Sequence, residues 1–493
     1  ERVQIGTSDS STVVPGITTR TSMNRNGIGV QGAFLWEPND VIYVEDDNNK
    51  LCKGKSTITN AVARTTFLVD GSYTKKSQYD VYYCGTNSGV GEKKVVIADR
   101  QFQYFFNNTK YFGGVGDCGV AKARKTTVQG KSVYRFDLEH KASYLCFLPY
   151  IPSKLQRRHF KLIRIEITSD NNISGTYDLT QAGLSGTGNS KTIVLNERFM
   201  GFDLEDAATK SIKNSLYVVI APGTHALKVN YMLGEDGHFP VMITKSYKSH
   251  NFGANKIYDI PVNLGVRHYS GRNYYMWDAA ENYWSGHEWD ASVAWQPTVE
   301  DATNDGYPKS KTADGARWYH EGIGSFEASV NPLFKELPNA NEIGWYVLKG
   351  DAHWDYTTGW EVFGDLLTGG IWLKKLSVIA QENNKKLAEL KQADPKGKDL
   401  RASSDFYNIT PTYGKPSDSV IDKYFFLPAL GWYDHGKLRN LGSNGYYWSS
   451  SSYNFGNTAI DKSSQTCILF FHSSQVEMIG NNRYDGCVAQ PLE

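Results

Sequence analysis

The chain has 493 residues, 40% hydrophobic and 21% charged, which suits folded globular domains, about three by length, and excludes a disordered chain. Its 53 Lys and Arg nearly cancel its 52 Asp and Glu, leaving no strong net field to draw nucleic acid or anionic lipid. The longest apolar stretches are strand-sized, well short of the roughly 20 residues a spanning helix needs.

High Gly and Tyr counts with few long helical runs point to a β-rich architecture with many turns. Of twelve Trp, only Trp36 precedes Trp277, so composition alone places a domain boundary near residue 265. Six cysteines could form up to three disulfides, and none falls in a C-x-x-C pair, which weakens zinc and thioredoxin readings. The pairing of Cys52, Cys84, Cys118 and Cys146 is left open. The sequence begins at Glu1 without an initiator Met or signal segment, as expected of a processed, exported protein or a trimmed chain.

Residues 1–22 carry short β-like runs at 2–6 and 12–14. Residues 41–44 read as a strand, followed by the turn Asp46-Asp-Asn-Asn49, whose two acids are expected to be merely solvated. Another strand region is expected over 94–106 and a long strand over 134–148. Ile163, Ile165 and Ile167 alternate with Arg164, Glu166 and Thr168, as in a half-buried antiparallel sheet. Residues 216–220 and 226–233 flank Ala221-Pro-Gly-Thr224 and read as a hairpin, and 256–264 closes the block. Two β-sandwiches in series are expected, over 1–132 and 133–264.

Beyond residue 265 the pattern changes. Residues 265–320 are rich in Trp, Tyr, Gly, Asp and Asn without clear periodicity and read as a connector. A short helix is expected over 341–348 and a long one over 372–392, with Leu373, Leu376, Ile379, Leu387 and Leu390 on one stripe. Strands return at 424–427, 446–449, 467–471 and 487–489, making 321–493 an α+β domain.

Glu37-Pro-Asn39 spells a triplet that some calcium-dependent lectins use, but a calcium site needs more converging oxygens, so it reads as a turn. His287-Glu288 lacks the second histidine of the metalloprotease helix, and no nucleophile elbow, P-loop or dinucleotide fingerprint follows a strand. His353-Trp-Asp355 and Asp434-His435 are isolated pairs. No enzyme, metal or cofactor is expected from these residues. Loops that combine aromatic rings with amides and carboxylates suit sugar recognition, and three do so: Trp432-Tyr433-Asp434, Tyr453-Asn454 and Asn481-Asn482-Arg483. Cys467 and Cys487 lie on two candidate strands and are expected to form a disulfide if those strands pair.

The tail, with Phe426-Leu-Pro-Ala-Leu-Gly-Trp-Tyr433, Gly445-Tyr-Tyr-Trp-Ser-Ser-Ser-Ser-Tyr453, Cys467-Ile-Leu-Phe-Phe471 and Asn481-Asn-Arg-Tyr-Asp-Gly486, resembles the family named after the major paralogous proteins of Fibrobacter succinogenes. Leu337-Pro-Asn-Ala-Asn-Glu-Ile343 and Gly369-Gly-Ile-Trp-Leu-Lys374 are similar to the variant fused to Bacteroidales surface proteins. That resemblance implies a C-type-lectin-like fold. The chain departs from the family ending, with Ala489-Gln490-Pro491-Leu492 in place of Val-Arg-Pro-Val.

Thr19-Arg-Thr-Ser22, Phe34-Leu-Trp-Glu-Pro-Asn-Asp-Val-Ile-Tyr-Val44 and Phe136-Asp-Leu-Glu-His-Lys-Ala-Ser143 are similar to fimbrillins, the pilins of Bacteroidales type V pili. This looser resemblance implies two transthyretin-like sandwiches, proteolysis near the N-terminus (after Arg20 or Arg25) and pairing with other pilin subunits by β-strand exchange. Together the two resemblances imply a non-catalytic adhesin at the cell surface, outer membrane or fimbrium, binding a glycan or protein ligand through its C-terminal domain. The alternatives are a surface lipoprotein outside any pilus and a formylglycine-generating-type enzyme, whose fold is also lectin-like and which would need reactive thiols at Cys467 and Cys487.

Overall fold

The computed structural model describes residues 2–7, 22–30, 32–86, 93–196, 201–204, 211–234, 240–402, 405–452 and 464–493, with the backbone alone at 2–7 and 131. The protein is mainly β and built of several sheets. It divides into two compact units, 1–236 with 242–265, and 237–241 with 266–493. No helix among the described residues is long and apolar enough to cross a membrane, which says nothing of a β-barrel.

In the first unit, alternation along Val41–Glu45, Leu51–Lys55 and Thr66–Asp70 places every second side chain inward. These strands join an eight-stranded sheet that also holds Arg2–Thr7, Gln78–Tyr83, Gly119–Val128 and Lys131–Phe136. Gly119–Val128 pairs with Lys131–Phe136 as well, so the sheet closes on itself. Arg2–Thr7 completes that closure, parallel to Lys131–Phe136 and antiparallel to Thr66–Asp70. Trp36, Phe67, Tyr83 and Phe136 fill the interior with edge-on ring contacts.

The acids of the first turn are not merely solvated. Asp46 is buried and accepts from the backbone N–H of Asn48, Lys50 and Ser72. Asp47 accepts from the N–H of Thr74 and Lys75 and from the Tyr79 hydroxyl, tying the 72–75 loop to the hairpin.

The division into sandwiches at 132/133 does not match the sheets. Lys94–Ile97 pairs with Gly175–Thr180, and Arg100–Gln101 with Thr192–Leu195. The long strand expected over 134–148 is broken: Lys131–Phe136 stays in the first sheet, whereas Ser143–Tyr150 lies between Leu216–Ile220 and Ile257–Asn263 in another. One buried cluster accordingly takes Met23, Phe34, Val95 and Ile97 together with Tyr144, Tyr177 and Tyr217. The expected hairpin over 216–233 also fails. Leu216–Ile220 pairs with Ser143–Tyr150, but Gly223–Gly234 pairs with Lys161–Ser169, so the turn at 221–222 carries the chain from one sheet to another.

In the second unit a six-stranded sheet runs Tyr274–Tyr275, Cys487–Val488, Gly445–Ser452, Gln465–His472, Gln475–Asn482, Tyr407–Ile409. A four-stranded sheet is built from Thr412–Tyr413, His353–Asp355, Gly370–Lys374 and Tyr424–Pro428. The helix Ala340–Lys349 starts at a capping box of Asn339 and Glu342, and its first eight residues are buried. The long helix expected over 372–392 is not one element. Its first residues belong to the strand Gly370–Lys374, and Leu376–Glu382 ends before Asn384, whose φ of 54° is left-handed. A short helix, Leu387–Leu390, follows.

Residues 265–320 are part of this unit's core rather than a connector. Trp277 is buried and donates its indole N–H to Ser449 O, and Tyr274 donates to Leu430 O. Asp278 accepts from the backbone N–H of Ser329, Val330 and Asn331, fastening the segment to the body.

Candidate functional site

The strands Trp432–Asp434 and Lys437–Arg439 form a hairpin whose two-residue loop is His435-Gly436. Both loop residues have left-handed φ, 46° and 79°, the pattern of the mirror-image turn that matches strand twist. Gly436 is required there, because an added Cβ would lie 2.2 Å from Asn304 O and 2.6 Å from the Tyr307 ring. The turn holds His435 exposed between two rings, Tyr307 at 6.0 Å and Tyr484 at 5.7 Å.

These three residues line a cavity of about 280 Å³ with Tyr283, Lys309 and Trp318. Trp318 is fixed by its indole N–H to Glu321 Oε1 (3.1 Å), and Lys309 stands 5.1 Å from the centre of the Tyr307 ring. The base is buried: Tyr283 stacks on Tyr433, and Tyr433 donates to Pro297 O. Behind His435, outside the lining, Asp434 accepts from Arg439 Nε (3.0 Å) and faces His435 Nδ1 (2.7 Å). Next to Tyr484, the buried Asp485 carboxyl is raised to about 8 by burial first and by Asp434 second.

Of the residues singled out in the sequence, Asp434 reaches the cavity only through its contact with His435. Trp432 is half-buried, its ring tilted against Tyr446 at 5.2 Å, and its indole nitrogen is buried without a partner. Two expectations are corrected. Tyr433 is wholly buried in the core, and so is Arg483, which stacks on Trp277 and Phe326 and donates to Gln465 O and Gly322 O. Neither offers a face to a ligand. Asn481 and Asn482 are half-buried at the end of a strand, with Asn481 Nδ2 3.2 Å from Cys487 Sγ. Tyr453 and Asn454 lie outside the described residues, as does Arg20.

The expected Cys467–Cys487 disulfide is absent, and all six cysteines are buried free thiols. The strand Gly445–Ser452 lies between the strands that carry the two residues. The two thiols also belong to different buried clusters, Cys467 with Leu469 and Phe471, Cys487 with Trp448 and Ile468. Burial raises the Cys467 thiol to about 12 and lifts the Cys487 thiol well above its ordinary value, the opposite of an activated cysteine.

Arg25 is also corrected as a processing point. Its guanidinium is 2% exposed and donates from both terminal nitrogens to Asp259 at 2.6 Å, while Nε donates to Val30 O. A protease pocket has no access to it in the folded unit.

Sequence reasoning missed Tyr307, Lys309, Trp318 and Tyr484 as site residues. The density of rings over 274–319 is the signal in the sequence that points to this segment. Among the described residues, no group of three or more His, Cys, Asp or Glu could hold a metal ion.

No protein-family model and no curated protein matches the chain. Similar solved structures include a proposed cell adhesion protein of Bacteroides fragilis, 14% identical over 52% of this chain and 91% of its own, with a TM-score of 0.29. A proposed cell adhesion protein of Bacteroides ovatus is 12% identical over 48% of this chain and 86% of its own, at 0.31. A fimbrial protein of the same species is 10% identical over 90% of this chain and 94% of its own, at 0.24. The neighbours are thus fimbrial and proposed adhesion proteins, and scores this low lend no weight to a functional argument.

Proposed function

We propose that this protein is a non-catalytic cell-surface adhesin that holds a saccharide in the aromatic cavity of its second unit. The observation that carries this reading is the convergence of Tyr307, Trp318, His435 and Tyr484 on one cavity of about 280 Å³. Ring faces take the apolar faces of a pyranose, and Lys309 and His435 supply polar groups for its hydroxyls. Stacking of this kind is worth about 1 kcal/mol per ring, so one site binds weakly and gains from multivalent display. Trp432, Asn481 and Asn482 flank the site in sequence and are second-rank contacts in this proposal.

The first unit would serve as the joint to other pilin subunits. Its terminal strand Arg2–Thr7 sits between two neighbours, so removal after cleavage near Arg20 would open both ladders to an incoming strand. This part rests on the fimbrillin resemblance together with that strand order. A surface protein outside any pilus would keep the cavity but not the exchange.

The test is a glycan array probed with the full chain, followed by titration of the best hit against Tyr484→Ala and Tyr307→Ala. Each variant should lose about fivefold in affinity, as expected for one stacking contact. Wild-type affinity in both variants, with their folding intact, would remove the cavity from consideration.

A further inference from the structure

On the outer face of the first sheet, Arg124 and Arg135 stand directly opposite each other in adjacent antiparallel strands. The inward positions on those strands are Ala121, Ala123, Tyr134 and Phe136, all in the core, which sends the two arginines outward together. Cross-strand partners have Cβ atoms about 5 Å apart, and like charges in that relation repel.

Neither lateral neighbour relieves the repulsion. The other lateral neighbour of Arg124 is Gln78, and that of Arg135 is Gly6. Lys122, two positions along, is already neutralised by Asp80. Among the described residues neither guanidinium has a carboxylate partner. Both line a cavity of about 720 Å³ that also takes in Lys125, Thr126, Gln181 and two carboxylates, Asp137 and Glu139, the second of which is paired with Lys141 (2.9 Å). Gln181 donates to Val81 O, which leaves its amide oxygen open.

We propose that this cavity is an anion site that holds a sulfate or carboxylate group of an acidic saccharide between Arg124 and Arg135. Two guanidiniums at cross-strand spacing present donors from both sides to one oxyanion, which removes the repulsion as it binds. The cavity far exceeds a single oxyanion, so the anion arrives on a larger body. Thr126 and Gln181 suit the hydroxyls of a sugar. The site lies wholly in the first unit and does not depend on the aromatic cavity of the second.

The experiment is calorimetric titration of the full chain with a sulfated hexasaccharide, a hexauronate, the unsulfated hexasaccharide, inorganic sulfate and a hexaglutamate peptide. The two acidic saccharides should bind, more weakly as salt rises, and the neutral one should not. Inorganic sulfate should bind weakly at the same site and raise the melting temperature. Arg124→Gln with Arg135→Gln should cut affinity for the acidic saccharides at least tenfold, whereas Lys53→Gln, an exposed charge elsewhere on the sheet, should not. Arg135→Gln alone should be no less stable than wild type, because it removes a repulsion. Equal binding of neutral and sulfated sugar, undiminished binding by the double variant, or no binding by wild type would each overturn the proposal. Tighter binding of hexaglutamate than of either acidic saccharide would overturn the saccharide assignment.

Discussion

Arg25 and Asp259, 234 residues apart in the chain, meet in a two-pronged ion pair with both contacts at 2.6 Å. Gly29 N–H also donates to Asp259 Oδ2 (2.8 Å). The pair fastens the segment that follows Ser22–Asn24 to the last strand of the first unit, Ile257–Asn263.

Removing one partner leaves the other charge buried, which costs about 3–5 kcal/mol. Asp259→Asn should therefore lower stability by that order in denaturant unfolding. Burial raises the Asp259 carboxyl, but Arg25 and Gly29 outweigh it and hold it below the ordinary range. A carboxyl depressed in the folded state adds stability that is full above its unfolded value and lost as pH falls through the folded one. The variant should flatten the acid limb of the stability profile. Limited trypsin digestion of the wild type should leave the bond after Arg25 intact.

Asp485 has the opposite sign. Its folded-state value of about 8 lies far above that of an exposed aspartate, so the folded unit holds a proton the unfolded chain releases. Its contribution is full below the unfolded value and is lost as pH rises towards 8. The melting temperature of the second unit should fall between pH 5 and pH 9 more steeply in wild type than in Asp485→Asn, as read by calorimetry. Equal slopes would show that Asp485 does not retain its proton.

Gly436 allows the turn that holds His435 between Tyr307 and Tyr484. Gly436→Ala meets both a left-handed φ of 79° and a 2.2 Å clash with Asn304 O. Expected is a loss of about 1–3 kcal/mol in stability, with sugar affinity falling alongside. Thermal unfolding and the array hit read the two effects.

Cys467 and Cys487 should not react with an aromatic disulfide reagent in the native protein and should both react once it is unfolded. Peptide mapping under non-reducing conditions should return them as separate free thiols. Rapid native reaction of either would revive the thiol-enzyme alternative.

A chelator should leave both sugar binding and the melting temperature unchanged, since the cavity offers rings and single polar groups rather than a cluster of oxygens. Loss of either on chelation would show a metal in the site.

Local pattern by itself determined a good deal here. Period-two patterning marks strands at Val41–Glu45 and Lys161–Ser169, because it reports which side chains meet water. The short helix expected over 341–348 forms as Ala340–Lys349, and the structure adds the capping box of Asn339 and Glu342 that starts it. Alternation does not say which strand lies alongside. Leu216–Ile220 and Gly223–Gly234 look like a hairpin in sequence, yet each finds a better-packed partner in a different sheet. The 372–392 stripe reads as helix, yet its first residues complete the ladder of Tyr424–Pro428. Tyr307, Trp318, His435 and Tyr484 share no local period, and only the packing of the segment 265–320 against the hairpin at 432–439 brings their rings together. Arg25 and Asp259, like Arg124 and Arg135, were placed by strand order and register, which depend on burial summed over whole sheets rather than on any neighbouring residue.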